Sequence, residues 1–169
     1  MVDKLRKITN IKKIGHAGTL DPLASGVLLI AIGRESTKKI SQFVKLDKEY
    51  VADVFLGAST DTFDRQGKIT FVDSSQKKDK KEVESVLYDF IGKQKQVPPM
   101  YSAKKIKGVT LYKLARKGVE IEREPADVNI YDIELINFDL SDLKIKISCS
   151  SGTYIRSLAK DIGEKLGCG

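Results

Sequence analysis

The strand-like segments of this chain gather in groups instead of alternating with helices, and that ordering narrows its fold more than any other feature. Val27–Ile32 is a continuous apolar run between Gly26 and Gly33, the pattern of a central strand. Tyr50, Ala52, Val54 and Leu56 alternate with Val51, Asp53 and Phe55, which is strand periodicity. A further strand is expected near Lys68–Val72, after Gly67, and Val128–Phe138 and Leu143–Ser148 read as a pair. Val83, Val86, Leu87, Phe90 and Ile91 follow helical spacing instead. Helices are also expected over residues 2–9, over about 35–46 on the face of Ile40, Phe43 and Val44, and over 110–117. A last helix runs from about Thr153 to Leu166 with Ile155, Leu158, Ile162 and Leu166 inward. Clustered strands of this kind predict an α+β fold: a mixed, mostly antiparallel sheet with flanking helices that leave a cleft for the basic segments, not a doubly wound parallel sheet.

A chain of 169 residues is long enough for one domain with a real core, so residues 1–169 are read as a single domain. Ser74–Lys81 is a polar connector inside it, and Asp61–Gly67 reads as a hairpin connection, since its acids lack calcium-loop spacing. No apolar run reaches the ~20 residues that cross a bilayer, and the basic residues 1–13 lack the apolar stretch of a secretory signal. Cys149 and Cys168 show no zinc-binding pattern and are read as reduced thiols of a cytoplasmic protein.

The net charge is +7, and its distribution says more than its total. Residues 91–119 carry Lys93, Lys95, Lys104, Lys105, Lys107, Lys113, Arg116 and Lys117 and no acid. Lys4, Arg6, Lys7, Lys12 and Lys13 near the start oppose only Asp3. Such clusters attract phosphate and release its counterions, which favours nucleic acid over a plainly solvated lysine-rich surface. Amphipathic membrane-binding faces are not evident.

The densest chemistry lies in Gly15-His16-Ala17-Gly18-Thr19-Leu20-Asp21-Pro22-Leu23-Ala24-Ser25-Gly26. The proline keeps Asp21 out of the helical region, so its carboxylate is held extended or in a turn. It is either a turn former or an acid kept for catalysis. Thr153 is a good N-cap, which would put Arg156 at the third helical position, beside the positive end of the dipole. That placement asks for an anion, and Asp21 is a candidate; an exposed arginine without a role is the plainer alternative. Tyr50 and Tyr154 are each either a packing aromatic or a ring that stacks on a base and moves a proton. His16, the single histidine, either shapes its loop or meets a phosphate; alone it builds no ordinary metal site.

Four segments, in order, resemble the TruB family of pseudouridine synthases. They are Gly15–Pro22, Leu56–Asp64 (Leu-Gly-Ala-Ser-Thr-Asp-Thr-Phe-Asp), Gln96–Ala103 (Gln-Val-Pro-Pro-Met-Tyr-Ser-Ala) with Leu111-Tyr112 and Ala115-Arg116, and Cys149–Arg156 (Cys-Ser-Ser-Gly-Thr-Tyr-Ile-Arg). Together they span nearly the whole chain. The resemblance implies isomerisation of the T-loop uridine of tRNA, at tRNA position 55, to pseudouridine. It implies that Asp21 is the catalytic aspartate, and that Tyr50 stacks on the flipped uracil and serves in proton transfer at C5. Arg156 would pair with Asp21, and His16 and Tyr154 would hold the nucleotide. The implied chemistry requires the uridine to leave its stack. Cleavage then develops positive charge at C1′, which a carboxylate stabilises or captures. The uracil turns, rejoins through carbon and loses its C5 proton. No metal and no cofactor are expected, and the partner is the T arm of tRNA, bound by a monomer.

Measured against the family, the chain opens at the first helix and stops after Gly163-Glu164-Lys165-Leu166-Gly167. The family's opening strand and its C-terminal PUA-like module therefore lie outside residues 1–169, and Ala17 stands where threonine is frequent. A second reading is an RNA-binding or tRNA-folding module whose catalysis is secondary or lost. A third, a guide-RNA-dependent relative of the dyskerin type, finds no support in so compact a chain.

Overall fold

The computed structural model describes residues 1–72, 78–106 and 108–169 and divides into two units, Met1–Leu46 and Asp47–Gly169. Residues 74–77 of the expected polar connector, and Lys107 of the basic window, lie outside the described residues.

The first unit starts with helix α1 (Val2–Thr9), where residues 2–9 were expected to be helical. It ends at Asn10, whose left-handed φ of 54° stops the helix. Strand β1 (Ile14–His16) pairs antiparallel with β2 (Ile30–Ile32), matching Ile14 to Ile32 and His16 to Ile30. Ala17 N–H donates to Leu29 O (3.0 Å), and there the pairing stops. The expected strand over Val27–Ile32 is thus shortened to Ile30–Ile32. Gly18, at φ 127°, turns the chain away after β1, so this unit offers residues 27–28 no neighbouring strand, and Val27 is 94% exposed. The helix expected over about 35–46 is two short ones, α2 (Arg34–Lys39) and α3 (Ser41–Val44). They meet at Ile40, where Phe43 N–H donates to Ile40 O (3.0 Å) with the tighter i→i+3 spacing.

The second unit holds a four-stranded antiparallel sheet of β3 (Lys48–Phe55), β6 (Gly92–Gln96), β9 (Ala126–Asp139) and β10 (Asp142–Cys149), in the order β3-β10-β9-β6. Between β3 and β6 come a hairpin of β4 (Ala58–Thr60) and β5 (Ile69–Phe71) and helix α4 (Lys80–Tyr88). Residues 61–67 make the hairpin's connection, as expected. A small hairpin, β7 (Lys105–Ile106) with β8 (Val109–Thr110), leads into α5 (Leu111–Ala115), and α6 (Ile155–Lys165) closes the described chain. All described strand pairs are antiparallel.

One face of the sheet makes the core. Leu143, Ile145, Ile147 and Cys149 of β10 alternate inward and meet Ile130 of β9, Val83 and Leu87 of α4, and Leu158, Ile162 and Leu166 from α6 and its end. Tyr50, Ala52 and Val54 line the same face of β3. The opposite face is solvated and charged, with Lys144–Asp53 (3.3 Å) and Lys146–Glu49 (3.1 Å) bridging β10 to β3.

Strand β9 has more residues than the part of β10 it faces. Its register slips twice, so that Tyr131 and Ile136 have no partner in the ladder. Both are bulges and both are exposed, at 45% and 46%. They reset the inward phase, which is why Ile133, Leu135 and Phe138 all pack on the core although their spacing is irregular.

Candidate active site

In the first unit, Asp21 opens a tight turn. Ala24 N–H donates to Asp21 O (2.9 Å) across Pro22 and Leu23, the place where proline favours such a turn. The Asp21 side chain is partly buried. His16 ends β1, and its Nδ1 contacts Gly18 O. A carbonyl only accepts, so Nδ1 is the donor in this contact.

In the second unit, Tyr50 is half-buried on the inner face of β3, opposite Ile147. It packs on the core, so the packing role is real whatever else the ring does. Tyr154 and Arg156 begin α6. Thr153 does not cap this helix as expected. Its hydroxyl turns back to donate to Ser150 O (2.9 Å), and Tyr154, extended at φ −96° and ψ 106°, occupies the cap position. Arg156 is therefore the second helical residue, still within the first turn.

The guanidinium of Arg156 is largely buried and reaches two distant loops. Nη1 donates to Thr62 O (2.8 Å) and Nη2 to Tyr101 O (2.9 Å), while Asp64 Oδ2 lies 3.7 Å from Nη1. Asp64 is itself fixed, accepting from Thr62 Oγ1 (2.8 Å) and Gln66 N–H (2.9 Å) at Oδ1. Thus Arg156 joins three of the four segments that carry the family resemblance: the 56–64 loop, the 96–103 segment and its own.

The 96–103 segment lies along the start of α6. Gln96 Nε2 donates to Tyr154 O (3.0 Å), Tyr154 N–H donates to Gln96 Oε1 (2.7 Å), and Ser157 Oγ donates to Val97 O (3.0 Å). Pro98 and Pro99, which follow these contacts, are fully buried, and lacking N–H groups they bring no unpaired donor into the interior. Gln96, Thr62 and Asp64 were not singled out as site residues in the sequence. Only a side chain's partner reveals such a role, and these partners are as many as 94 residues away.

The basic segment continues from Tyr101. The Tyr101 and Tyr112 rings meet edge to face at 6.3 Å, and Arg116 lies 5.8 Å from the centre of the Tyr112 ring. Leu111, fully buried, anchors α5 beneath exposed Lys113, Arg116 and Lys117. Lys95 is exposed and pairs with Asp127 (2.8 Å). Cations alternating with aromatic rings suit a polyanion with stacking faces. Among the described residues, no cluster of three or more His, Cys, Asp or Glu is placed to hold a metal, and no helix is long and apolar enough to cross a membrane.

Residues 6–155 match the family described as TruB family pseudouridylate synthase (N terminal domain). The chain belongs to the TruB family. It is 51% identical to a tRNA pseudouridine synthase B of Clostridium tetani over 98% of its own length and 57% of that relative's. It is 47% identical to the enzyme of the same name from Dehalococcoides mccartyi, covering all of this chain and 56% of the relative. It thus spans just over half the length of these TruB relatives. Among solved structures, a chain of a Cbf5-Nop10-Gar1 complex superposes with a TM-score of 0.72 at 28% identity, covering 99% of this chain and 40% of that one. A chain of an H/ACA RNP bound to a substrate RNA containing 2′-deoxyuridine gives 0.67 at 26% identity. The expected α+β pseudouridine synthase fold is what the TruB chain has.

Proposed function

We propose that this chain isomerises uridine to pseudouridine in tRNA, acting on the T-loop uridine at position 55. Residues 1–169 are read as the catalytic part of such an enzyme, and the cytoplasm as its compartment, in keeping with two free, buried thiols. The observation that carries the reading is the family match over residues 6–155, which takes in the Asp21 turn and Tyr50.

The family resemblance implies a division of labour. A target uridine must be extruded before its glycosidic bond can be reached. The cationic, tyrosine-lined segment from Tyr101 to Lys117 is suited to hold the RNA while that happens. Asp21 carries the carboxylate that answers positive charge at C1′ as the C1′–N1 bond breaks. Tyr50 stacks on the uracil and takes part in removing the C5 proton after the new C1′–C5 bond forms. Arg156 is the cation assigned to pair with the Asp21 carboxylate, and His16 and Tyr154 hold the nucleotide.

The test is incubation of the chain with an unmodified T-arm hairpin, followed by mapping of pseudouridine. The native chain is expected to modify one uridine, and Asp21→Asn to modify none while still retaining the hairpin. A native chain that binds the hairpin and leaves every uridine unchanged overturns the catalytic reading in favour of an RNA-binding or tRNA-folding module.

A further inference from the structure

We propose that Gln96 is a positioning residue: its side-chain amide clamps the backbone of Tyr154 at both polar groups and so holds the Tyr154–Arg156 segment in its working conformation. This rests on the proposed function for its catalytic half; its structural half stands on geometry alone.

Gln96 ends β6 and is 4% exposed. Its Oε1 accepts from Tyr154 N–H at 2.7 Å and its Nε2 donates to Tyr154 O at 3.0 Å, across 58 residues of sequence. Tyr154 is extended, so Gln96 meets it much as a neighbouring strand would. The same Tyr154 O also accepts from Leu158 N–H (3.1 Å), the first turn of α6. One amide therefore fixes the residue proposed to hold the nucleotide and the starting angle of the helix that carries Arg156.

Few side chains can do this. At neutral pH a carboxylate only accepts, and lysine and arginine only donate; a primary amide sets a donor beside an acceptor. Asparagine is one methylene shorter. Ser157 and Arg156 add contacts to Val97 O and Tyr101 O, but neither touches the main chain of Tyr154. A buried glutamate would be a conditional substitute. Ionised, it would turn a second acceptor on Tyr154 O; protonated, it again offers one donor and one acceptor. Burial raises a carboxyl above its ordinary range, near 4.3, so the protonated form is reachable in mild acid.

The experiment compares the native chain with Gln96→Glu and Gln96→Met on the T-arm hairpin, together with Val86→Ala, a control that lowers stability through core packing and leaves the amide in place. Losing both hydrogen bonds corresponds to about tenfold to a hundredfold. Gln96→Met is expected to lose that much kcat at every pH, with KM within about twofold. Gln96→Glu is expected to match it at alkaline pH, and its kcat relative to native should climb as pH falls. Val86→Ala should show no such climb. A Gln96→Glu ratio flat with pH, or kcat near native in Gln96→Met, overturns the positioning role. Amide exchange at Tyr154 needs no substrate. It should be about tenfold faster or more in Gln96→Met, with Ile145 unchanged; equal protection overturns the clamp. If the native chain makes no pseudouridine, the catalytic half falls with the functional reading, and the exchange result decides the clamp by itself.

Discussion

Arg156 carries a positive charge at the positive end of α6, a conflict that the sequence exposed without showing its resolution. The guanidinium resolves part of it by directing donors at Thr62 O and Tyr101 O, with Asp64 close by. Lysine has one ammonium and no planar fork, so it cannot span two carbonyls in this way. Arg156→Lys is therefore expected to lower turnover on the hairpin by about a hundredfold, with binding changed far less; single-turnover kinetics separates the two. The carboxyl of Asp161 makes a different kind of prediction. Burial holds it above the ordinary carboxylate range, partly offset by Lys160. A raised carboxyl binds its proton more tightly folded than unfolded, so stability falls as pH rises through the window between the two values. Asp161→Asn should raise Tm at neutral pH, and the gain should vanish below about pH 4 in a thermal titration. At this scale the sequence was uneven. Asp21, Arg156 and the two tyrosines stand out by type and position. Gln96 sits in a run of alternating Lys and Gln, and nothing local distinguishes it.

The elements were legible where packing agrees with periodicity. Strand β10 and helix α4 follow inward patterns that nothing overrides, and α4 gains a cap from Asp79, which accepts from Glu82 N–H (3.3 Å) and from Lys81 N–H. Asp79→Ala should cost about 1 kcal/mol in urea denaturation. One misreading has a plain cause: Val27–Ile32 looks like a strand because it is apolar, but a strand also needs a neighbour to pair with. The β9–β10 turn departs from local preference in the opposite sense. Leu140 adopts φ 54° at the first of two connecting residues, where a hairpin ordinarily has glycine, and it is 72% exposed. Leu140→Gly should relieve about 1 kcal/mol of backbone strain with no lost packing, seen as a higher denaturation midpoint at constant m-value.

For the whole molecule, charge and motif order were the readable quantities, because neither depends on where elements dock. The basic window predicts that hairpin affinity falls steeply with salt, with a log–log slope near −0.7 to −0.9 per phosphate contact; a flat response would remove the segment from Tyr101 to Lys117 from the RNA face. Burial pushes both thiols up, at Cys149 and at Cys168. Both should stay inert to a thiol reagent at pH 8 and react on unfolding.

The paired bulges in β9 also bear on length changes. A strand with strict alternation tolerates no single-residue deletion, because everything beyond the cut is presented to the wrong side. Removing Ile136 would instead restore an ordinary ladder and leave Leu135 and Phe138 where they are, whereas removing Glu134 would move Leu135 into its outward place. Codon loss at 136 is thus an indel this sheet can absorb.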